Sequence, residues 1–389
     1  MKFKRIFLLV LESLGVGEAS DASNYGDTGA NTLGHIKEQC DLFVPNLKKI
    51  GFLNTINLDE NTDVETYYTI AKPINAGKDS LNGYYEMMGI KNDVAFKTFN
   101  NGFPDQLITE IETITGRRVL GNTCCTDDCL MKELGERQIN YGALIVYTSA
   151  DSDLTIAAHE DVIPAATLYH YCEKVREITL RRDEWRVGRI SARPFTGKND
   201  NFRFINSARK DYAVKPPKRT VLDSLKDNNY NVIGIGNVND VFDGQGINKV
   251  IKANNNIDAL SKMNDIMDKN FTGLCIVSLS DFDSVHGHAR DIEGYASAIE
   301  ELDIEIPMIL NKLELDDLLI ITADNGNDPT FPGNDHTREN VPVIIYSRSF
   351  KEPKLLSPSD TLADIGSTIA DNFDLIQPEI GHSILDKLI

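Results

Sequence analysis

Three apolar runs in this sequence stop abruptly at residues able to bind a cation. Leu318–Ile321 is followed by Thr322, Ala323, Asp324 and Asn325, and a loop carrying Pro329, Pro332 and Gly333 then leads to Asp335 and His336. Arg5–Leu11 ends at Glu12 and Ser13, and Thr272–Leu279 leads to Asp283 and His288. Carboxylates mixed with imidazoles suit Mn²⁺, Zn²⁺ or Fe²⁺, whereas sets of oxygens alone suit Mg²⁺, Mn²⁺ or Ca²⁺. Two such ions about 4 Å apart can clamp the attacking and leaving oxygens of a phosphoryl displacement. A nucleophile for that chemistry is offered by Ser80, in the glycine-flanked stretch Ala76–Glu86. A helix opening at such a serine would turn free backbone N–H groups toward an attached phosphate. Taken singly each signal is weak, because serine is a common helix cap and a lone acid at a strand end is often only a surface group.

These residues act together only if the runs that precede them lie side by side. A short apolar run bounded by turn residues reads as a buried strand, and in an open α/β sheet ligands gather outside the carboxyl ends of the strands. The sequence predicts further strands at Asn231–Ile235 and Val341–Tyr346. It predicts helices opening at Thr28–Ile36 and Pro45–Ile50, and others at Thr220–Lys226, Ile257–Met267, Gly294–Leu313 and Leu362–Phe373. That alternation argues for a largely parallel sheet covered by helices on both faces. The rhythm breaks between about Asn100 and Lys215, where helices are expected at Leu107–Thr115 and Pro164–Leu180 and strands at Ala143–Tyr147 and Val187–Pro194. The expected division is a core of residues 1–98 and 216–389 with an inserted α+β domain, 99–215. The insert ends in a basic and aromatic stretch that includes Arg193, Phe202, Arg203, Phe204 and Arg209. We read it as an anion-binding wall, since guanidinium forks match phosphate oxygens; a merely solvated face is the alternative.

Composition narrows the partners. The 389 residues carry 40 basic and 59 acidic side chains, a formal charge of −19. This disfavours nucleic acid, whose binding depends on clustered Lys and Arg. It would also repel a phosphorylated substrate unless metals bring positive charge, about +4 for a pair, into the pocket. No run approaches the roughly 18 apolar residues needed to span a bilayer. The amino-terminal run stops at Glu12 without a small-residue cleavage site, so a cytoplasmic protein is expected. Six cysteines occur without framework spacing. Reduced thiols are expected, and Cys124, Cys125 and Cys129 read as incidental rather than as half of a zinc signature.

The segments RIFLLVLESLGVGEASDA, ANTLGHI, GKDSLNGYYEMMG, GALIVYTSADSDLTIAAHED, GRISARPFTG, DFDSVHGHARD and ITADNGNDPTFPGNDHTRENVPVIIYS, in this order, resemble bacterial phosphopentomutases of the alkaline phosphatase superfamily along nearly the whole chain. The resemblance implies an alkaline-phosphatase-like core with an inserted cap domain and a di-metal centre, usually Mn²⁺, with Mg²⁺ possible. It implies exchange of phosphate between the 1- and 5-positions of ribose or deoxyribose, through a phosphorylated enzyme hydroxyl and a sugar bisphosphate, which also serves as activator. Carried over, one metal takes Asp283, His288 and His336, and the other takes Glu12, Asp324 and Asn325. Ser80 is then the phospho-acceptor, Asp151 contacts the sugar, and Arg193 and Arg209 contact the distal phosphate.

The departures fall on one side of this picture. The family has Asp at Glu12, Thr at Ser80, His at Asn325 and at Tyr84, and Lys at Asn237. Serine remains a competent acceptor. Glutamate can ligate if the site shifts by about 1 Å. Asparagine offers a neutral oxygen suited to hard ions and poor for Zn²⁺. Losing the lysine removes a contact of about 1.5–3 kcal/mol. The expected function is therefore a divergent pentose-phosphate mutase. The alternatives are a non-catalytic relative that binds one metal or a phosphorylated ligand, and a phosphatase on the same fold. Neither the oligomeric state nor the preferred pentose is legible.

Overall fold

Arg5–Leu11 is a strand buried along its whole length, and its two neighbours come from far along the chain. Gly273–Leu279 and Asp317–Thr322 both run parallel to it and are equally buried. Strands covered on both faces need continuous apolar side chains, and these three supply them. The sheet continues through Asn231–Ile235 and Lys249–Ile251 on one side, and through Val341–Tyr346 and Tyr67–Ala71 on the other. Of its seven described strands Val341–Tyr346 alone runs in the direction opposite to the other six. This is the α/β architecture the alternation implied. The computed structural model describes residues 1–58, 63–125, 127–149, 151–198 and 201–388, without the side chains of 127–129.

Register decides what meets at the sheet edge. Arg5 is level with Gly273 and Asp317, Leu11 with Leu279, and Val10 with Thr322. The three strands therefore end together, and the Glu12 N–H still donates to the Leu279 carbonyl at 3.2 Å. At the opposite edge the register is held by a buried fork. Arg5 Nε and Nη2 donate to Asp317 Oδ1 and Oδ2 at 2.7 and 2.5 Å, and Nη1 donates to the carbonyls of Met267 and Lys269.

Helices expected from the sequence sit close to where they were read, with small displacements that have local causes. The helix expected from Thr28 starts at Thr32, because Gly29 holds φ +84° and Asn31 caps the helix by accepting from the Gly34 N–H. The long helix starts at Ile292, capped by Asp291. The strand Tyr67–Ala71 was not anticipated: two tyrosines and a threonine mask a segment that is almost wholly buried. Among the described residues no helix is long and apolar enough to cross a membrane.

The chain clusters into two units, Met1–Ala95 with Lys215–Ile389 and, interrupting it, Phe96–Val214. The second unit has its own mixed sheet, ordered Val119–Cys124, Leu144–Thr148, Asp153–His159, Arg189–Lys198 and Asn201–Phe204, with Lys210–Ala213 also pairing on Arg189–Lys198. Helices Asp105–Thr115 and Ala165–Thr179 close an apolar core around Leu107, Ile111, Leu168, Cys172 and Val175. Cys40, Cys172 and Cys275 are free thiols, and the side chain of Cys129 lies outside the described residues.

Candidate functional site

Two loops and one helix follow the level strand ends of the first unit. After Leu279 the chain makes a turn of π-helix, Phe282–Gly287, a form often found at functional sites. It carries Asp283 and delivers His288. Asp283 Oδ1 accepts from Ser13 Oγ at 2.7 Å and from Asn327 Nδ2 at 2.9 Å, and lies 3.1 Å from His336 Nε2; its Oδ2 lies 3.3 Å from His288 Nε2. His288 Nδ1 faces the Asn334 carbonyl at 2.6 Å. A carbonyl there requires a proton on Nδ1, which in the neutral ring puts the lone pair on Nε2, the atom a cation would use. Burial alone would raise the Asp283 carboxyl, but His288 and His336 hold it well below the usual carboxylate range.

The second group lies beside the first. Glu12 Oε1 accepts from Tyr84 Oη at 3.0 Å and from Ser278 Oγ at 2.5 Å. Asp324 Oδ1 accepts from the N–H groups of Ser13 and Asn325 at 2.8 and 3.1 Å. Asn325 Nδ2 lies 3.4 Å from Ser80 Oγ. Burial, reinforced by the charge of Asp324, pushes Glu12 up to about 7. Burial likewise pushes Asp324 up to about 6, although the Ser13 N–H and the nearby Ser80 hydroxyl favour its ionised form. The Asp283 charge adds to the rise of both, and His336 opposes it at Asp324.

The residues fit a cation on two grounds. Asp324 Oδ2 and Asn325 Oδ1 are buried acceptors to which no donor is hydrogen-bonded among the described residues, and such oxygens are costly unless something fills them. The donor set they belong to, with two imidazoles and three carboxylates, has the chemistry of divalent-metal ligands.

Ser80 is the first residue of the helix Ser80–Met87, capped by Asp79, whose Oδ1 accepts from the Asn82 N–H at 3.1 Å. The helix comes close to Asp324 only because residue 83 is glycine: a Cβ there would sit 2.1 Å from the Asp324 carbonyl oxygen. The loop before the helix is held by cations. Lys78 Nζ contacts Asp27 at 3.0 Å and Asp335 at 3.2 Å, while Arg338 bridges Asp21 and the carbonyls of Pro73, Asn75 and Gly77.

Several of these roles went unread in the sequence. Ser13 sits at φ +66°, a left-handed conformation uncommon outside glycine, and so turns its N–H to Asp324 and its hydroxyl to Asp283. Its carbonyl accepts from Tyr295 Oη at 3.0 Å. Arg290 ties the 327–335 loop to the end of the π-turn, donating to the carbonyls of Gly287, Gly333 and Asp335 and to Asn327 Oδ1. The position of Ser13 immediately after Glu12 was the only sequence signal for it; Arg290 had none.

Asp151, Arg193 and Arg209 belong to the second unit. Asp151 accepts from the Ser152 N–H at 2.6 Å and lies 3.5 Å from the Arg189 guanidinium. Arg193 lies over the Phe204 ring, 4.5 Å from its centroid. Arg209 donates through Nε and Nη2 to Asp211 at 3.1 and 2.8 Å. Although burial opposes it, Arg209 and Arg189 bring Asp211 down to about 2. The fork of Arg209 is thus turned to a carboxylate within its own unit. Asn237 is exposed, at the start of a short helix.

A family model described as the Metalloenzyme superfamily matches residues 4–377. Among solved structures, the chain is similar to phosphoglycerate mutase of Leishmania mexicana, with 12% identity and a TM-score of 0.48 over 98% of this chain and 97% of that one. It is similar to a protein of Pyrococcus horikoshii, with 15% identity and a TM-score of 0.48 over 98% and 100% of the two chains. A Vibrio parahaemolyticus protein of the alkaline phosphatase superfamily matches at 12% identity and a TM-score of 0.43, over 100% of this chain and 71% of that one.

Proposed function

The chain belongs to the metalloenzyme superfamily, and on that premise we propose that it is a phosphotransferase that moves a phosphoryl group through Ser80. The observation that carries the proposal is the position of the Ser80 hydroxyl. It lies at a helix amino terminus on a half-buried residue, 3.4 Å from Asn325 Nδ2 and beside Asp324, and Asp324 is joined through Ser13 to Asp283, which His288 and His336 contact. In this reading Asp283, His288 and His336 hold one divalent cation, and Glu12, Asp324 and Asn325 hold the second. Such cations supply Lewis acidity that lowers the proton affinity of a hydroxyl and offsets phosphate charge.

The chain's own groups do the positioning. Ser13 locks Asp283 and Asp324 at fixed separation, and Tyr84 with Ser278 fixes Glu12. Lys78 and Arg338 hold the loop that aims Ser80, and the N–H groups of its helix terminus that Asp79 does not engage would face the phosphoryl oxygens. In each transfer one P–O bond breaks and one forms, and the attacking hydroxyl's proton passes to the oxygen that leaves phosphorus. The substrate we favour, on the resemblance of the motifs, is a pentose phosphate. Phospho-Ser80 would give its phosphoryl group to the free hydroxyl of (deoxy)ribose 1- or 5-phosphate and recover the other phosphoryl group from the resulting bisphosphate. A sugar bisphosphate would prime the cycle, and Asp151, Arg193 and Arg209 would meet the sugar and distal phosphate. Arg209 would then have to share its fork with Asp211.

The test is intact-mass analysis after incubation with a ribose or glucose bisphosphate, with metals counted in the same samples. A gain of one phosphate at Ser80 and interconversion of the two pentose phosphates are expected. Release of inorganic phosphate without isomerisation would make the protein a phosphatase. An unmodified Ser80, with turnover unchanged by Ser80→Ala, would defeat both readings.

A further inference from the structure

We propose, resting on the two-cation reading above, that the two halves of this centre select chemically different ions. Asp283, His288 and His336 take a borderline cation such as Zn²⁺ or Mn²⁺, whereas Glu12, Asp324 and Asn325 prefer a hard cation, Mg²⁺ or Ca²⁺.

The first half presents two imidazole nitrogens and one carboxylate, the donor mixture that suits Zn²⁺, Mn²⁺ and Fe²⁺. His288 is fixed in the required tautomer by the Asn334 carbonyl, 2.6 Å from its Nδ1. The second half has no nitrogen donor among its three residues. Among the described residues, its buried oxygens without a hydrogen bond include Asp324 Oδ2 and Asn325 Oδ1, both on residues at most 6% exposed. Asn325 already points its amide nitrogen at Ser80 Oγ, so its oxygen is the atom left over. A neutral carbonyl oxygen with carboxylates is a familiar environment for Ca²⁺ and Mg²⁺, which bind oxygen at higher coordination number than zinc. Zn²⁺ favours four ligands rich in nitrogen and sulfur, and gains little from an amide.

Glu12 strengthens the contrast. Its Oε1 is occupied by the hydroxyls of Tyr84 and Ser278, at 3.0 and 2.5 Å. The second half is thus an oxygen site whose shape is set by hydroxyl donors behind the carboxylate.

The experiment counts bound metal, independently of activity. The full-length protein is stripped with a chelator and equilibrated by dialysis against micromolar Zn²⁺, with and without millimolar Mg²⁺; metals are measured by mass spectrometry. Counts are taken relative to an Asp283→Ala/Asp324→Ala variant, which retains the six thiols and so subtracts metal bound by cysteine. The expected result is one zinc per chain in either buffer and one magnesium in the second. Glu12→Gln should lose the magnesium and keep the zinc, and Asn325→His should raise the zinc count to two. Two zinc ions in the wild type, or zinc that Mg²⁺ competes away from the histidine half, would overturn the inference while leaving a two-cation centre intact. No metal above the control would overturn that centre as well.

Discussion

Replacing Gly83 with alanine tests how closely the Ser80 helix must approach Asp324. The added methyl would lie 2.1 Å from the Asp324 carbonyl oxygen, 2.7 Å from its carbon and 2.9 Å from its Cβ. Ordinary contact needs about 3.5 Å, so the helix and the 324–325 segment must separate by about 1 Å. Backbone strain does not enter, because Gly83 is helical and alanine is the better helix former by about 1 kcal/mol. That gain opposes an overpacking cost of about 1–3 kcal/mol, leaving folding stability within about 2 kcal/mol of the parent. Position is affected far more. Ser80 lies three residues upstream on the same helix, and a 1 Å misplacement of a reacting group costs about 100-fold in rate. Gly83→Ala is therefore expected to melt near the parent, keep the cation bound by Asp283, His288 and His336, and acquire phosphate on Ser80 about 100-fold more slowly by timed intact-mass analysis. A variant that phosphorylates Ser80 within about threefold of the parent rate would refute the claim that this contact sets the geometry.

Asp317→Ala should cost about 3–5 kcal/mol in urea unfolding, because it leaves the Arg5 guanidinium buried without its carboxylate, whereas Arg5→Met/Asp317→Leu should recover most of the loss. The metal-free protein should lose stability as pH rises from about 4.5 through about 7. Glu12 and Glu339 are raised to about 7 and Asp324 to about 6, so the folded state binds more protons than the unfolded state across that window. Thermal melts in a pH series should show this fall, and added Mn²⁺ should stabilise most at its upper end. Ser13→Ala should cost about 1 kcal/mol for the lost hydrogen bond to Asp283, measurable by chemical denaturation, and should weaken cation binding in the Asp283 half of the site by titration calorimetry, while the Asp324 half, held by the backbone N–H of residue 13, is spared.

The sheet was legible because burial on both faces demands continuous apolar residues, and Arg5–Leu11, Gly273–Leu279 and Asp317–Thr322 obey that demand. The placement of Glu12, Asp283 and Asp324 followed, since a polar residue that breaks such a run falls at the edge where the strands end. Tyr67–Ala71 escaped because tyrosine and threonine carry polar atoms even when the residues are buried. Ser13 escaped for a different reason: its contacts reach 270 and 311 positions along the chain and depend on one left-handed torsion, which no local pattern encodes. The Tyr84 departure from the resembling family was visible, but the hydroxyl it offers to Glu12 was not, because the partner lies 72 residues away.

The interrupted first unit has a consequence for how the chain comes to be folded. Its central strand Arg5–Leu11 is made first, yet the strand that pairs with it on one side begins at Gly273 and that on the other at Asp317. At about 5–20 residues per second of synthesis, Arg5–Leu11 waits on the order of ten to fifty seconds with both of its edges bare. The unit Phe96–Val214, by contrast, emerges complete within that interval. Sequence-distant pairing of this kind slows folding. A nascent chain of this design therefore needs shelter for an apolar segment until its late partners leave the ribosome.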